Sequence, residues 1–464
     1  MNNYEEFLGT KFKHHESVGF DAEPSTDLFP FQRDLVIWAL RRGRCAIFAS
    51  TGLGKSRMQL TWAHHVAVHT GLPVIILAPL AVARQTVAEG AKVGIVVTLC
   101  RDASDVRPGI NVTNYDRVHL FDASVFGGIV CDESSILKHS ESKTRAQLTE
   151  AFGATPFKLC CTATPSPNDY MELGSHAEFL GICSQSEMLA EFFVHDGGET
   201  QKWRLKGHAR QAFWKFIASW GALVRSPEDL GYDGSSYALP PLTVSHHTIE
   251  ADAESVRASG LLFAQPASSL MERRAARKGS VDARVAQCAE LVNGTDESFI
   301  VWCDLNAESR ALTKSIRGAV EVTGSMTSDD KESAILRFLS GEARVLVSKG
   351  SICGFGLNMQ HCHRMAFVGV TDSWETYHQS VKRIHRFGQV NECFVDVFAS
   401  ELEGAVVQNL LRKQRDADTM ADELSREASE SVRAEVRGTH RVTNTYEASV
   451  PMRIPEWLVE EVAQ

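Results

Sequence analysis

The chain has 464 residues, of which 44% are hydrophobic and 23% are charged, a composition typical of globular proteins that bury hydrophobic cores. This length is sufficient for two or three domains of ordinary size. The formal net charge of −10 argues against a protein that coats nucleic acid nonspecifically, but it leaves room for a groove with local positive charge.

Three features predict an intracellular, cytoplasmic protein without a membrane span. The longest apolar run, at residues 74–83, contains Pro79 and is too short to cross a bilayer. The N-terminus carries Glu5 and Glu6 and has neither the basic start nor the apolar core of a secretory signal. The 11 cysteines form an odd number without a CxxC framework, as expected in a reducing compartment.

A glycine-bearing loop lies between an apolar run at 45–48, which predicts a buried strand, and a helical pattern that begins near Met58. This order is the context of a phosphate-binding loop, although the strict pattern has glycine where this chain has Ala49, which leaves a chance match as the alternative. Glycines allow backbone N–H groups to face an anion, and the helix N-terminus adds partial positive charge. Lys55 can then reach the terminal phosphates, and the Ser56 hydroxyl can ligate Mg²⁺. The predicted nucleotide-binding residues here are Ser50, Thr51, Gly52, Leu53, Gly54, Lys55 and Ser56.

An apolar run at residues 125–131 leads directly into two adjacent carboxylates, Asp132 and Glu133. An acid pair at the end of a strand is what a Walker B element needs. Asp132 would hold Mg²⁺, and Glu133 would orient and activate the attacking water. A solvated strand end is the simpler alternative, but the position of the pair after the phosphate loop favours the catalytic interpretation.

Two arginines, Arg383 and Arg386, are three residues apart in a stretch that we expect to be helical. At this spacing they would share one helix face. Two planar guanidinium groups on one face could enter a cleft and contact a γ-phosphate. An arginine supplied in this way stabilises charge in the transition state of phosphoryl transfer. A basic surface helix is the alternative.

Apolar strand candidates alternate with helical patterns in two separate series, and this alternation predicts parallel sheets covered by helices. We therefore expect an α/β protein with two lobes. The expected division is an N-terminal arm at 1–24, an ATP-binding first lobe at 25–184, an irregular or helical insertion and linker at 185–280, a second lobe at 281–400 and a helical tail at 401–464. The strand candidates are 74–78, 94–99, 125–131 and 157–161, and then 299–303, 320–322, 344–347, 364–368 and 393–397.

A basic and aromatic stretch at 202–215, which includes Trp203 and Trp214, has two interpretations. It could contact a nucleic-acid backbone and stack on a base. It could equally form an amphipathic helix whose tryptophans lie in the core.

Together these stretches resemble the motifs of superfamily 2 helicases, and most of all those of the Swi/Snf-like ATPases. The resemblance departs from the family at Ser135, where relatives carry a histidine in the acidic box, and at Lys382, where many Swi/Snf relatives have an acid. The matching stretches are Phe31-Gln32 with the adenine-reading element, 132–135 with the acidic box, 159–165 with motif III, 354–358 with motif V and 379–389 with motif VI.

The resemblance implies a compact bacterial or phage-type motor with two RecA-like lobes, which binds ATP and Mg²⁺ between them. Its activity would be that of an ATP-dependent DNA helicase or translocase acting on duplex DNA, with RNA left open as a substrate. The helical tail is the expected surface for protein partners. The implied catalytic residues are Lys55, Glu133, Arg383 and Arg386; Gln32 and Gly356 would join the loop in nucleotide binding, and Ser56 and Asp132 would hold Mg²⁺.

Three other functions stay open from the sequence. The first is a nucleic-acid-dependent ATPase that remodels or displaces bound proteins without strand separation. The second is a nucleic-acid-binding scaffold whose ATP site only switches conformation, and Glu133, Arg383 and Arg386 argue against it. The third is a P-loop kinase with a single lobe, which needs neither the second lobe nor motif VI.

Overall fold

A computed structural model describes residues 18–24, 27–79, 82–137, 143–166, 170–195, 203–249, 280–353, 357–369, 373–401, 412, 415 and 429–437. These residues form two parallel sheets flanked by helices, which confirms the predicted α/β fold with two RecA-like lobes. No helix among them is both long enough and apolar enough to span a bilayer.

The first lobe is built on a seven-stranded sheet with strand order β3-β4-β2-β5-β6-β1-β9, and β7 and β8 form a separate antiparallel hairpin. Because its strands are parallel, the carboxyl ends of β1 and β5 meet at the same edge. The elements of this lobe are α1 (Pro30–Arg42), β1 (Arg44–Ala49), α2 (Lys55–Thr70), β2 (Val74–Ala78), α3 (Ala83–Lys92), β3 (Val97–Leu99), β4 (Ile110–Asn114), β5 (Gly128–Asp132), α4 (Lys143–Ala151), β6 (Phe157–Cys161), α5 (Leu173–Leu180), α6 (Gln185–Phe192), β7 (Phe193–His195), β8 (Trp203–Leu205), α7 (Arg210–Trp220) and β9 (Gly221–Val224).

The second lobe is built on a six-stranded parallel sheet with strand order β10-β15-β14-β11-β13-β12. Its strands β11 and β14 have the bounds that the sequence predicts. The elements of this lobe are β10 (Leu242–Ile249), α8 (Val281–Asn293), β11 (Phe299–Cys303), α9 (Asn306–Ser315), β12 (Ala319–Val322), α10 (Ser328–Leu339), β13 (Val345–Lys349), α11 (Gly350–Cys353), β14 (Arg364–Val368), α12 (Trp374–Val381) and β15 (Cys393–Ser400).

Strand β4 is absent from the sequence-based prediction because its polar residues interrupt the apolar pattern. Asn111 and Thr113 are nevertheless buried in it. The Asn111 amide donates to Arg107 O at 2.8 Å, and its Oδ1 accepts from Arg107 N at 2.9 Å. These bonds offset the cost of burying the amide, and an internal strand can therefore contain it.

The stretch predicted to be an irregular or helical insertion contributes a strand to each sheet. Strand β9 pairs with β1 in the first sheet, and β10 pairs with β15 in the second. The four apolar residues of β9 follow α7 without a break, so their pattern merges with that of the helix. Strand β10 is an edge strand in which only Ile249 is buried, and its polar sequence carries no core signal.

The aromatic residues of α7 pack into the first lobe. Phe213, Trp214 and Trp220 are buried in its hydrophobic core. Within the predicted stretch at 202–215, the interpretation as a helix with core tryptophans is therefore correct for Trp214, whereas Trp203 is half-buried in strand β8.

Residues 429–437, which belong to the predicted helical tail, are helical and contact the first lobe. Val432 and Val436 are buried against the core of that lobe. The Arg437 guanidinium lies over the Tyr232 ring, 4.4 Å from its centroid. The chain thus returns to the first lobe after completing the second, and most of residues 401–464 lie outside the described residues.

Candidate active site between the lobes

The predicted phosphate loop connects β1 to α2 and turns through two glycines with left-handed backbone. Gly52 has φ 93° and Gly54 has φ 80°, values that L-residues rarely adopt. A Cβ atom on Gly54 would lie 2.3 Å from Gln32 Nε2, so a side chain would also clash there. Strand β9 supports the start of the loop, because Ser50 N donates to Val224 O at 2.9 Å.

Gln32 holds the loop from the side of α1. Its Nε2 donates to Leu53 O at 2.9 Å, and its Oε1 accepts from Phe29 N at 3.2 Å. Only 2% of the residue is exposed. The structure therefore places Gln32 beside the predicted nucleotide-binding loop, with both ends of its amide bonded to the backbone.

Lys55 is the first residue of α2, and its ammonium lies inside the loop. Nζ donates to Ala49 O at 2.8 Å and to Ser50 O at 3.3 Å. Burial lowers the pKa of Lys55, and the nearby carboxylates of Glu133 and Asp132 oppose that shift. Lys55 is thus a half-buried cation that faces the acid pair.

Asp132 ends β5 and is held by two polar side chains. Gln59 Nε2 donates to its Oδ1 at 2.7 Å, and the Tyr115 hydroxyl donates to its backbone O at 2.6 Å. Burial, reinforced by the charge of Glu133, raises the pKa of Asp132 to about 6. The sequence-based prediction missed both partners, although Gln59 follows Lys55 by four residues on α2 and therefore shares its helix face.

Glu133 is the one non-glycine residue with positive φ, at 52°, in the part of the chain that the structure describes. Such a backbone costs roughly 1–3 kcal/mol and persists where the surroundings fix it, which is common at functional sites. Thr162, which follows β6 in the predicted motif III, donates its hydroxyl to Glu133 Oε2 at a long 3.5 Å. The acid pair and motif III are therefore in contact.

Helix α12 ends at Val381, so the prediction that Arg383 and Arg386 lie on a helix is wrong. The chain continues as consecutive turns, with Arg383 N bonded to Ser380 O and Gln389 N bonded to Arg386 O. These turns still orient both side chains to one side. The Nη1 atoms of Arg383 and Arg386 both donate to Leu357 O, at 3.1 and 3.4 Å.

The two arginines differ in how firmly they are held. The Arg383 guanidinium is buried and also donates to Gln379 O at 2.9 Å and to Gln379 Oε1 at 3.1 Å. Burial lowers the pKa of Arg383 to about 10, against the opposing charge of Glu133. Burial likewise lowers the pKa of Arg386, against the charges of Glu89 and Glu133. Both remain cations, and both interact electrostatically with Glu133 of the first lobe.

The segment after Arg386 contacts the phosphate loop directly. A Cβ atom on Gly52 would lie 2.9 Å from the backbone N of Phe387, so the phosphate loop and the arginine segment are in contact at this point. The Phe387 ring stacks on Tyr237 with centroids 4.6 Å apart, and Phe29 meets both rings edge-on. This aromatic cluster joins the second lobe to the region around α1.

Across the cleft, Arg84 of α3 pairs with Glu332 of α10 at 2.6 Å. A cavity of about 1200 Å³ lies between the lobes, and Glu133, Tyr115 and Leu357 are among the residues that line it. Glu133 is therefore accessible from the space between the lobes.

The structure thus brings together most of the predicted site residues. Lys55, Asp132 and Glu133 come from the first lobe, and Arg383 and Arg386 come from the second. Ser56 lies one residue into α2. Gly356, predicted to bind nucleotide, lies outside the described residues.

The donor set suits Mg²⁺. The described residues contain no group of three or more His, Cys, Asp or Glu side chains that could hold a metal on their own. Mg²⁺ bound with a nucleotide commonly takes one or two protein oxygens and completes its shell with phosphates and water. The Ser56 hydroxyl and the Asp132 carboxylate are oxygens of this kind, and the raised pKa of Asp132 is what a cation would reverse.

Residues 283–388 match the family model of the helicase conserved C-terminal domain, and this segment contains both arginines. The Sulfolobus solfataricus SWI2/SNF2 ATPase core in complex with dsDNA aligns at 16% identity and a TM-score of 0.41, covering 90% of this chain and 98% of that chain. The Sulfolobus solfataricus SWI2/SNF2 ATPase core domain aligns at 17% identity and a TM-score of 0.39, covering 86% and 91%. No curated protein sequence matches the chain.

The second lobe therefore carries the arginine segment within a recognised helicase domain. The first lobe supplies the loop, the acid pair and the motif III segment around a parallel sheet. Residues 283–388 are therefore similar to the helicase conserved C-terminal domain, and they form most of the second lobe.

Proposed function

We propose that this protein is a DNA-dependent ATPase that uses ATP hydrolysis between its two lobes to move along duplex DNA. The observation that carries the proposal is the arrangement of charged groups across the cleft. Lys55 and Glu133 face Arg386 from the opposite lobe, and the three influence one another electrostatically. A site assembled from two lobes can couple the nucleotide state to their relative movement.

The proposed roles follow from the positions of the side chains. ATP binds with its phosphates on the loop, where Lys55 neutralises the β- and γ-phosphates. Ser56 and Asp132 would hold Mg²⁺, which would supply charge neutralisation of the phosphate oxygens. Glu133 accepts a proton from the attacking water, and its carboxylate borders the cleft between the lobes.

The two arginines stabilise the charge that develops on the transferred phosphoryl group. Arg386 has the less constrained guanidinium: among the described residues it makes a single long hydrogen bond, to Leu357 O at 3.4 Å. It is the better candidate for direct contact with the γ-phosphate. Arg383 is fixed by its hydrogen bonds to Gln379 and Leu357. It would therefore stabilise the conformation of the turns that carry Arg386 and also contribute positive charge.

Two observations support movement along nucleic acid. The second lobe matches the helicase C-terminal domain, and the motifs resemble those of Swi/Snf-like ATPases. Contacts with phosphates would dominate binding, so sequence selectivity should be weak and binding should weaken as salt increases. Duplex DNA is the proposed substrate.

Displacement of a third strand from a DNA triplex tests translocation directly. We expect the wild-type protein to release the third strand in an ATP-dependent reaction, while a Glu133→Gln variant should not. Strand displacement, measured on the same DNA, determines whether movement also separates the duplex. A wild-type protein that hydrolyses ATP with DNA but leaves the triplex intact would contradict translocation and favour the alternative of local remodelling.

A further inference from the structure

A buried polar contact lies directly behind the acid pair. The Ser134 hydroxyl and His176 Nε2 are 3.1 Å apart, and both residues are fully buried. Ser134 follows Glu133 and begins a short 3-10 turn, while His176 lies within α5. Polar groups are costly to bury without a partner, so the two side chains depend on each other.

The imidazole of His176 packs against an aromatic ring and lies within hydrogen-bonding distance of the backbone of Glu172. The Phe48 ring packs edge-on against its imidazole with centroids 5.2 Å apart. Burial lowers the pKa of His176 to about 4, so the imidazole is neutral near pH 7. A neutral side chain of this kind can hold a hydroxyl in one orientation without introducing charge beside the acid pair.

Glu133 needs such support because its left-handed backbone is strained. The residue before it is fixed by the bond from the Tyr115 hydroxyl to Asp132 O at 2.6 Å. The residue after it is fixed by the contact between Ser134 and His176. The backbone of Glu133, with φ 52°, is therefore held from both sides.

We propose that His176 is a positioning residue, which acts through Ser134 to hold the backbone of Glu133 in the conformation that directs its carboxylate into the cleft. The inference rests on the proposed ATPase function. The proposed role of His176 also bears on Ser135, which stands where the Swi/Snf-like ATPases that the motifs resemble carry a histidine in the acidic box. In this chain a histidine contacts the box from α5, through the neighbouring Ser134.

Three variants test the contact: Ser134→Ala, His176→Leu and the double variant. We expect each to reduce kcat for ATP hydrolysis by about tenfold, a rate effect equivalent to the free energy of one buried hydrogen bond. The KM for ATP should change little. The double variant should lose no more than either single variant, because both remove the same interaction. Since it leaves no unpaired buried polar group, it should recover thermal stability without recovering kcat.

Two further variants separate positioning from packing. His176→Gln can place an amide nitrogen near the position of Nε2, and it should retain kcat within about threefold if the hydrogen bond is what matters. Phe179→Leu removes buried apolar volume from the same helix, and it should lower the melting temperature while kcat stays near wild type.

The inference is overturned if the double variant has wild-type kcat, or if the Gln and Leu variants at position 176 have the same kcat. These outcomes can be distinguished from those that would contradict the proposed ATPase function. A wild-type protein without ATP turnover would contradict the function itself, whereas normal wild-type turnover with unaffected variants would contradict only the role of His176.

Discussion

Replacing Arg386 with alanine should reduce DNA-stimulated ATP hydrolysis by about a thousandfold or more, the typical effect of removing an arginine finger, while ATP binding persists. In the part of the chain that the structure describes, the Arg386 guanidinium makes one long hydrogen bond, at 3.4 Å to Leu357 O, so its loss should leave the fold intact. Its positive charge interacts electrostatically with the carboxylate of Glu133 in the other lobe. The measurement is the ATPase rate with and without duplex DNA, beside equilibrium binding of a fluorescent ATP analogue.

Two other substitutions sharpen the result. Arg386→Lys should restore little activity, because an ammonium cannot reproduce the planar fork of a guanidinium. Arg337→Ala, which removes an exposed arginine paired with Glu342 in the same lobe, is a control that should retain wild-type stimulation. Normal stimulation of the Arg386→Ala variant would remove this residue from the active site.

Arg383→Ala should also abolish stimulated hydrolysis, but for a broader reason. Arg383 donates from a buried position to Oε1 of the buried Gln379, so its loss leaves that acceptor without this donor. We therefore expect a lower melting temperature for this variant than for Arg386→Ala. Equal stability of the two variants would contradict the difference in their environments.

Glu133→Gln should reduce ATP turnover by about a hundredfold to ten-thousandfold, the contribution that general base catalysis typically makes. Glutamine keeps the size of the side chain and an oxygen that can accept from Thr162, whose hydroxyl is 3.5 Å from Glu133 Oε2. The variant should therefore fold, bind ATP and accumulate in a closed, nucleotide-bound state. Turnover and retention of labelled nucleotide are the two measurements.

The matched control for this substitution is Glu150→Gln, which makes the same chemical change at an exposed position on α4. It should retain wild-type turnover. Near wild-type turnover of Glu133→Gln itself would exclude Glu133 as the catalytic base and would leave the attacking water without an assigned acceptor.

The sequence predicts the buried strands well because each is a short apolar run between turn signals. Strands β2, β6, β11 and β14 have the predicted bounds, and their residues are almost all buried. Strands that depart from this pattern are the ones missed. In β4 a hydrogen-bonded asparagine interrupts the run, and β10 exposes most of its residues at the edge of a sheet.

The conformation of the loop was predictable because Gly54, Lys55 and the following helix are adjacent in sequence. The geometry of the arginine segment was not. A spacing of three residues fits a helix, but it also fits consecutive turns with i to i+3 hydrogen bonds, and this segment forms the turns.

The contact between Ser134 and His176 could not be predicted, because the two residues are 42 positions apart in the chain. Nothing in either local pattern distinguishes His176 from an ordinary helix residue. The contact arises only when β5 and α5 pack within the first lobe. Gln59 is different, because its helical spacing from Lys55 was a usable signal.

We propose that the two lobes form one catalytic site whose activity depends on DNA. Steady-state ATP hydrolysis by the wild-type protein, measured as duplex DNA is titrated in the presence of Mg²⁺, tests it most directly. We predict a rate that rises with DNA to saturation and falls again as salt weakens the phosphate contacts. A rate that is independent of duplex DNA at every concentration, or no hydrolysis at all, would contradict the proposed DNA-dependent ATPase function.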